Sequence, residues 1–169
     1  MLHGELAMTG TGPAIMHAGG MPEAAASEQI ETRFGQVTIH RHNPVIFPNG
    51  LLGMPDKNQF CLTDFPSERM GRFKLLQSLD DLAVGFITLP VEINNPIVAR
   101  EDMEQAAQDL GLPLEHLLAL FIVSVHRESG AAKLSVNARA PLLVHAQKRV
   151  ATQYVFVNPK YEIRQPLSL

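Results

Sequence analysis

This chain contains many short segments in which apolar residues recur, several of them in alternation with polar residues, and turn residues separate these segments. This pattern sets narrow limits on how the chain can fold. Residues 36–40 read QVTIH and place Val37 and Ile39 on one face. Alternation with a period of two is typical of a half-buried strand. Alternation of this kind, together with short apolar runs between turn residues, predicts strands over residues 36–40, 45–47, 59–63, 73–78, 84–89, 118–126, 133–138, 142–146 and 152–157. The chain is therefore expected to be mainly β.

One segment has a helical period instead. Its apolar positions follow the spacing i, i+3, i+4 and i+7, which predicts one buried helix face over about residues 100–110. These positions are Met103, Ala106, Ala107 and Leu110. Asp102 and Gln105 have the spacing of a capping box, and Gly111 stands where helices commonly end. A single short helix is expected there.

These short strands and one helix predict a small β-barrel or β-sandwich-like fold. Residues 73–78 and 84–89 are apolar on both faces, as central strands of a closed or sandwiched sheet would be. A chain of 169 residues suits one domain. Residues 1–31 are rich in glycine and have no apolar period, which predicts a disordered extension before a domain over 32–169.

The composition argues against nucleic-acid and membrane partners. Lys and Arg number 14 against 17 Asp and Glu, a net charge of −3, whereas domains that bind a phosphate backbone usually carry a clustered basic excess. The longest apolar stretch, residues 117–125, has about half of the roughly 20 residues that a membrane span needs. No Lys or Arg precedes Arg33, so the positively charged start of a signal peptide is missing. We therefore expect a cytoplasmic location.

No motif of a catalytic, cofactor or metal site is present in the sequence. His40 and His42 could share a face of an extended segment, but the spacing identifies no third metal ligand. Asp80 and Asp81 are adjacent acids in a predicted turn, where aspartate is favoured for local reasons. Cys61 lies within a predicted strand, where a buried thiol is unreactive. These residues predict a binding protein without enzyme activity, cofactor or metal.

Carboxylates are concentrated around the predicted helix. The stretch from residue 92 to residue 109 contains five of them and one cation, Arg100. The five are Glu92, Glu101, Asp102, Glu104 and Asp109. Two interpretations stand: a solvated face that suits the helix dipole, or a surface that attracts a basic partner.

Four segments, taken in order, resemble the FliW family of flagellar assembly factors. Residues 47–55, FPNGLLGMP, are similar to the opening turn of the family. Residues 73–86, FKLLQSLDDLAVGF, and residues 134–144, LSVNARAPLLV, resemble two further family segments. Residues 161–167, YEIRQPL, resemble the family's ending. The resemblance runs from about Arg33 to the C-terminus.

This resemblance implies a non-enzymatic protein with two protein partners. Members of the family bind the translational repressor CsrA and relieve its repression of flagellin mRNA, and they also bind flagellin. Because CsrA-type repressors are basic, the five carboxylates around the predicted helix are the candidate partner-binding residues.

The resemblance also marks residues with an expected structural role. They are Gly50, Gly53, Gln77, Asn137, Pro141, Arg164 and Pro166. Asn137 is expected to turn the chain toward Pro141, and Arg164 to fix the C-terminal segment to the barrel by hydrogen bonds.

The chain departs from the family in residues 91–97, which lack the usual aromatic residues, and at Gln165, where histidine is usual. Two alternatives therefore stay open: a chaperone of flagellin that has lost CsrA binding, and a β-barrel that binds a small molecule or assembles an active site from scattered residues.

Overall fold

Eleven strands and one α-helix follow one another in a computed structural model that describes residues 27–167. The strands are β1 (Ser27–Thr32), β2 (Gly35–His40), β3 (Val45–Ile46), β4 (Gln59–Asp64), β5 (Lys74–Ser78), β6 (Gly85–Val91), β7 (Leu117–Glu128), β8 (Ala131–Val136), β9 (Leu142–His145), β10 (Val150–Gln153) and β11 (Gln165–Pro166). The helix, α1 (Arg100–Asp109), lies between β6 and β7. The mainly β fold and the position of the helix are confirmed.

Seven of the strands close into a barrel. Neighbours pair in the order β7-β6-β5-β4-β3-β10-β9, and β9 pairs in turn with β7. Strand β7 can close the ring and also extend beyond it because it is twelve residues long. Its residues 117–120 pair with β9, whereas its residues 123–128 pair with β8 on the outside of the ring. Of the two predicted architectures, the barrel is the one observed.

The inside of the barrel is filled by side chains. Nearly every strand of the ring contributes residues from one face, as the alternation of strand side chains requires. The fully buried members are Phe47, Phe60, Leu76, Leu120 and Leu142. This interior is a packed core.

The outer faces of several barrel strands are covered as well. Helix α1 packs through Met103 and Ala106 against Leu89 and Phe121 of β6 and β7. The β1–β2 hairpin covers β4 and β5 on another side, where Leu75 belongs to the hairpin's own cluster. Because both faces of the barrel wall are covered here, strands β5 and β6 carry apolar residues on both of their faces.

The predicted boundary of the ordered domain was wrong. Residues 27–31, assigned to a disordered extension, belong to β1, which pairs along its length with β2 from Ser27↔His40 to Thr32↔Gly35. Strand β1 escapes sequence patterning because Ile30 is its only apolar residue. Residues 1–26 of the predicted extension lie outside the described part of the chain.

The last predicted strand, over 152–157, was also misplaced. The strand ends at Gln153, and the following residues instead pair with an irregular segment: Tyr154 N–H donates to Pro141 O and Phe156 N–H to Arg139 O. Phe156 is buried, so the apolar pattern reflected burial and not a strand. Strand β11, two residues long, was not predicted.

Candidate functional site

Helix α1 carries carboxylates on the face opposite to its packing face. Met103, Ala106 and Ala107 are buried against the barrel. Successive helix residues are about 100° apart, so Glu101 lies on the outward side, and it is exposed. Glu104 lies beside it and pairs with Arg100, whose Nε is 2.6 Å from Glu104 Oε1. Sequence patterning therefore predicted the orientation of the helix correctly.

Asp102 lies at the flank of this face and is bound to the C-terminal segment. Its Oδ2 accepts a hydrogen bond from the Tyr161 hydroxyl and lies 2.7 Å from Lys160 Nζ. The hydrogen bond from Lys160, followed by that from Tyr161, lowers the pKa of the Asp102 carboxyl. The same contact raises the pKa of the Lys160 ammonium. Burial, and then the bond to Asp102, raises the pKa of the Tyr161 hydroxyl.

The predicted capping box is not formed. The helix begins after Ala99, and no side chain caps it. The Tyr161 hydroxyl oxygen accepts the backbone N–H of Ala99 at 3.0 Å while its proton is donated to Asp102. Gln105 turns the other way, and its Nε2 donates to Asp109 Oδ1. The start of the helix is thus fixed by a residue 62 positions later in the chain.

Asp109 connects the other end of the helix to the same C-terminal region. The Tyr154 hydroxyl donates to Asp109 Oδ2 at 2.6 Å. This bond lowers the pKa of the Asp109 carboxyl and raises the pKa of the Tyr154 hydroxyl. Gly111 ends the helix as predicted, with φ at +64°, and Leu112 N–H donates back to Ala107 O.

The five predicted partner-binding carboxylates therefore fall into two groups. Asp102 and Asp109 are anchors between the helix and the C-terminal segment. Glu92, Glu101 and Glu104 make no contact of that kind; Glu92 and Glu101 are exposed, and Glu104 is half-buried beside Arg100. These three are called the outward carboxylates below.

The loop before the helix, where the sequence departs from its family resemblance, is organised by Asn95. Its Oδ1 accepts the backbone N–H groups of Ile97 and Val98, both at 2.9 Å. Its Nδ2 donates to Glu92 O at 3.0 Å. Ile97 and Val98 are buried under the helix. An Asx-type turn thus delivers the chain into α1 without an aromatic residue.

The other residues weighed for chemistry have local roles. His40 and His42 are exposed, with ring centroids 5.9 Å apart. Within residues 27–167 no three metal-ligating side chains cluster together. Asp80 Oδ2 accepts backbone N–H groups from Asn58 and Gln59 in a turn. Cys61 is buried beneath the β1–β2 hairpin. No helix in this described range is long and apolar enough to cross a membrane.

The family model of the FliW protein matches residues 28–167, most of the chain. The chain belongs to the FliW family. A flagellar assembly factor FliW from Clostridium beijerinckii is 30% identical over 137 residues, which are 79% of this chain and 92% of that protein. One from Bdellovibrio bacteriovorus is 30% identical over 143 residues, covering 80% and 76%. A crystal structure of the flagellar assembly factor FliW has the same fold, with a TM-score of 0.60 at 22% identity over 82% of this chain and 96% of that one.

The first FliW-like segment is a tight turn built on two glycines. Gly50 and Gly53 have φ of +64° and +82°. Leu51 and Met54 exchange backbone hydrogen bonds across the turn, and Asn58 Nδ2 donates to Phe47 O. Phe47 and Leu51 of this turn are buried in the core cluster of the barrel.

The second FliW-like segment depends on Gln77. Its side chain is buried, and the two N–H groups of Nε2 are shared among three backbone carbonyl oxygens within 3.1 Å, those of Ser78, Leu82 and Val84. A Cβ on Gly85 would lie 2.9 Å from Gln77 Oε1, so the glycine leaves room for the amide. Gln77 therefore holds the turn between β5 and β6.

The third and fourth FliW-like segments meet at β8 and β11. Asn137 Oδ1 accepts the N–H of Ala140 at 3.0 Å, which turns the chain just before Pro141. Pro166 pairs with Ser135 in the β8–β11 ladder. The Arg164 side chain is exposed and makes no hydrogen bond or ion pair with any residue that the structure describes, so its expected role in fixing the C-terminal segment stays a prediction. Backbone pairing and Gln165, whose Nε2 donates to Ile97 O, hold this segment.

Sequence reasoning missed the residues that bind the anchors. Tyr154 and Lys160 carried no signal, because each meets its carboxylate across 45 to 58 residues of sequence, a separation that local patterns do not encode. Tyr161 did have a signal, since it opens the last FliW-like segment.

Proposed function

We propose that this FliW-family chain acts in the bacterial cytoplasm by binding a CsrA-type translational repressor and, separately, flagellin. When flagellin binds to this protein, the amount of the protein that is free to bind the repressor would change. The level of flagellin would therefore control translation of flagellin mRNA by mass action. The protein would act as a chaperone-like binding partner and not as an enzyme.

The outward carboxylates are the observation that carries the repressor half of this proposal. Glu101 and Glu104 lie on the outward face of the helix, Glu92 is exposed in the loop before it, and Arg100 is the cation that pairs with Glu104. Opposite charge steers the encounter of two proteins and raises the association rate. A basic repressor fits this surface better than a nucleic acid would.

The packed interior of the barrel argues against the small-molecule alternative. A binding barrel needs a lined cavity, and here Phe47, Phe60 and Leu142 are fully buried in a cluster of side chains inside the barrel. A direct binding measurement with CsrA separates this proposal from the alternative of a flagellin chaperone without repressor binding.

The repressor half is tested by neutralising the exposed part of the acidic surface. The variant Glu101→Gln with Glu104→Gln leaves Asp102 and Asp109 in place, so the helix keeps its anchors. We expect CsrA to bind about three- to tenfold more weakly at low salt, with most of the difference lost near 1 M salt, where the Debye length is about 3 Å. Calorimetry over a salt series measures this.

The matched control is Glu31→Gln with Glu68→Gln, two exposed carboxylates away from the helix. It removes the same charge and should bind CsrA as the wild type does. Equal weakening by both pairs would mean that net charge alone acts, and equal affinity of the test pair and the wild type would place the repressor elsewhere. Failure of the wild-type protein to bind CsrA would favour the flagellin-only alternative.

A further inference from the structure

Strand β7 has a free edge where it leaves the barrel. Its ladder with β6 runs from Val91↔Ala119 to Thr88↔Ile122 and stops there. Strand β7 continues to Glu128, paired on its other side with β8. Strand β6 meanwhile continues as residues 85–87, which pair with β5. The two strands separate and leave a groove of about 440 Å³ between them.

Two hydrogen bonds show which backbone groups face this groove. Asn137 N–H donates to Ile122 O, so the backbone of Ile122 points toward β8. Leu134, the partner of Val125, accepts Leu167 N–H on the side away from β7. Because backbone groups alternate in direction along a strand, Val125 and Arg127 point their N–H and C=O toward the groove. Described residues form no ladder with them on that side.

The groove has apolar walls and a basic rim. Phe34, Phe86, Ile87 and Val125 line it, and Val125 is 53% exposed. The Arg33 guanidinium lies over the Phe34 ring and donates to Gly85 O at 2.6 Å.

The charges around this rim favour an acidic segment. Arg127 lies further along the free edge, and Glu128 next to it is paired with Lys133. Glu31 precedes Arg33 by two residues and makes no ion pair with a described residue. Arg33 lines the groove, and the exposed Arg127 adds a second positive charge further along the same strand edge.

We infer that the free edge of β7 binds an extended segment of flagellin, which adds to it as a further strand. An added strand supplies backbone partners that Val125 and Arg127 do not find among residues 27–167, and its alternate apolar side chains enter the groove. Arg33 and Arg127 favour a segment that contains a carboxylate and disfavour the basic repressor, which distinguishes the two partners by charge. This inference rests on the flagellin binding proposed above.

The direct test removes one backbone donor. Val125→Pro deletes the N–H that faces the groove and leaves the β7–β8 ladder intact, because Val125 and Leu134 do not exchange hydrogen bonds. We expect the affinity for flagellin, measured by calorimetry with the full-length chain, to fall at least tenfold. The control Val125→Thr keeps the N–H and a β-branched side chain and should bind within twofold of the wild type.

A second variant covers the case in which proline disturbs the hairpin. Arg127→Glu changes an exposed side chain with no partner among residues 27–167, and it should weaken flagellin binding at low salt more than at high salt. Arg69→Glu, an exposed arginine outside the groove, is its control. Both test variants should still bind CsrA as the wild type does.

The outcomes separate this inference from the proposed function. Flagellin binding that is unchanged by Val125→Pro and by Arg127→Glu would overturn the assignment of the β7 edge and leave flagellin binding itself standing. Equal loss of flagellin and CsrA binding in Arg127→Glu would also overturn it. No binding of flagellin by the wild-type protein would overturn the flagellin half of the proposed function, and this inference with it.

Discussion

At the scale of single residues, the turn over residues 47–55 shows how two glycines with similar conformations can differ in cost. Gly50 and Gly53 both have positive φ, so both positions disfavour a side chain. A Cβ on Gly50 would lie 2.4 Å from Met54 O and 2.7 Å from Pro55 Cα, whereas a Cβ on Gly53 meets nothing within 4 Å. The sequence predicts a turn at both glycines but does not distinguish them, because the crowding at Gly50 comes from the backbone of Met54 and Pro55, whose position depends on the folded turn.

We expect Gly50→Ala to lower the free energy of unfolding by about 2–4 kcal/mol, since backbone strain adds to a collision with backbone atoms that cannot rotate away. Gly53→Ala is the matched control and should cost only about 1 kcal/mol, the strain alone. Denaturant unfolding of the two variants measures the difference. Equal costs for both would contradict the account of crowding at Gly50.

At the scale of elements, helix α1 was predictable from its own sequence, but its attachment was not. The apolar period and Gly111 gave its extent and its buried face correctly. The predicted capping box is not formed because the Asp102 carboxylate binds Lys160 and Tyr161 instead. These two residues lie in an irregular segment whose position cannot be predicted from a local sequence pattern. The candidate site was therefore half predictable: the cluster of acids was visible, and its division into outward carboxylates and anchors was not.

The anchoring role of Asp102 predicts a pH dependence. Its folded pKa lies below its ordinary value of 3.8, so the stability it contributes is fully present above that value and is lost as the pH falls through the folded pKa. Asp102→Asn should lower Tm by about 1–3 °C near pH 7, equivalent to a few tenths to about 1 kcal/mol for this partly exposed pair. The gap from the wild type should narrow below about pH 4.

Scanning calorimetry of both proteins between about pH 2.5 and 7 measures this gap. The control is Glu101→Gln, which removes a neighbouring charge that has no ion pair with a described residue, and it should leave Tm close to the wild-type value at pH 7. A gap for Asp102→Asn that stays constant with pH would mean that packing, and not the Lys160 contact, holds the helix start.

At the scale of the whole molecule, the β1–β2 hairpin acts as a cover over an outer face of the barrel. Ile30, Val37 and Ile39 are buried against Leu75 and Cys61. The sequence predicted the barrel strands well, because burial on one or both faces dictates their pattern. The sequence did not predict β1, because Ile30 is the only apolar residue of this strand. Strand β1 is held mainly by its backbone hydrogen bonds with β2.

Cys61 reports on this cover, because it is the single cysteine of the chain and is only 2% exposed beneath the hairpin. Deleting residues 1–31 removes most of β1 with Ile30, so β2 loses its ladder partner and the cluster around Cys61 opens. We expect Tm to fall by more than about 5 °C, since several buried apolar groups become exposed. The Cys61 thiol should then react with a thiol reagent much faster than in the full chain.

Deleting residues 1–26 is the matched control, since it ends just before Ser27 and keeps every β1–β2 pair. Because the sequence of residues 1–26 has no apolar period, we expect Tm within about 2 °C of the full chain and an equally slow thiol reaction. If the shorter deletion exposed Cys61 as fully as the longer one, the cover would include residues before β1. If neither deletion exposed Cys61, β2 without β1 would be sufficient to protect the thiol, through contacts such as the one from His40 N–H to Cys61 Sγ at 3.4 Å.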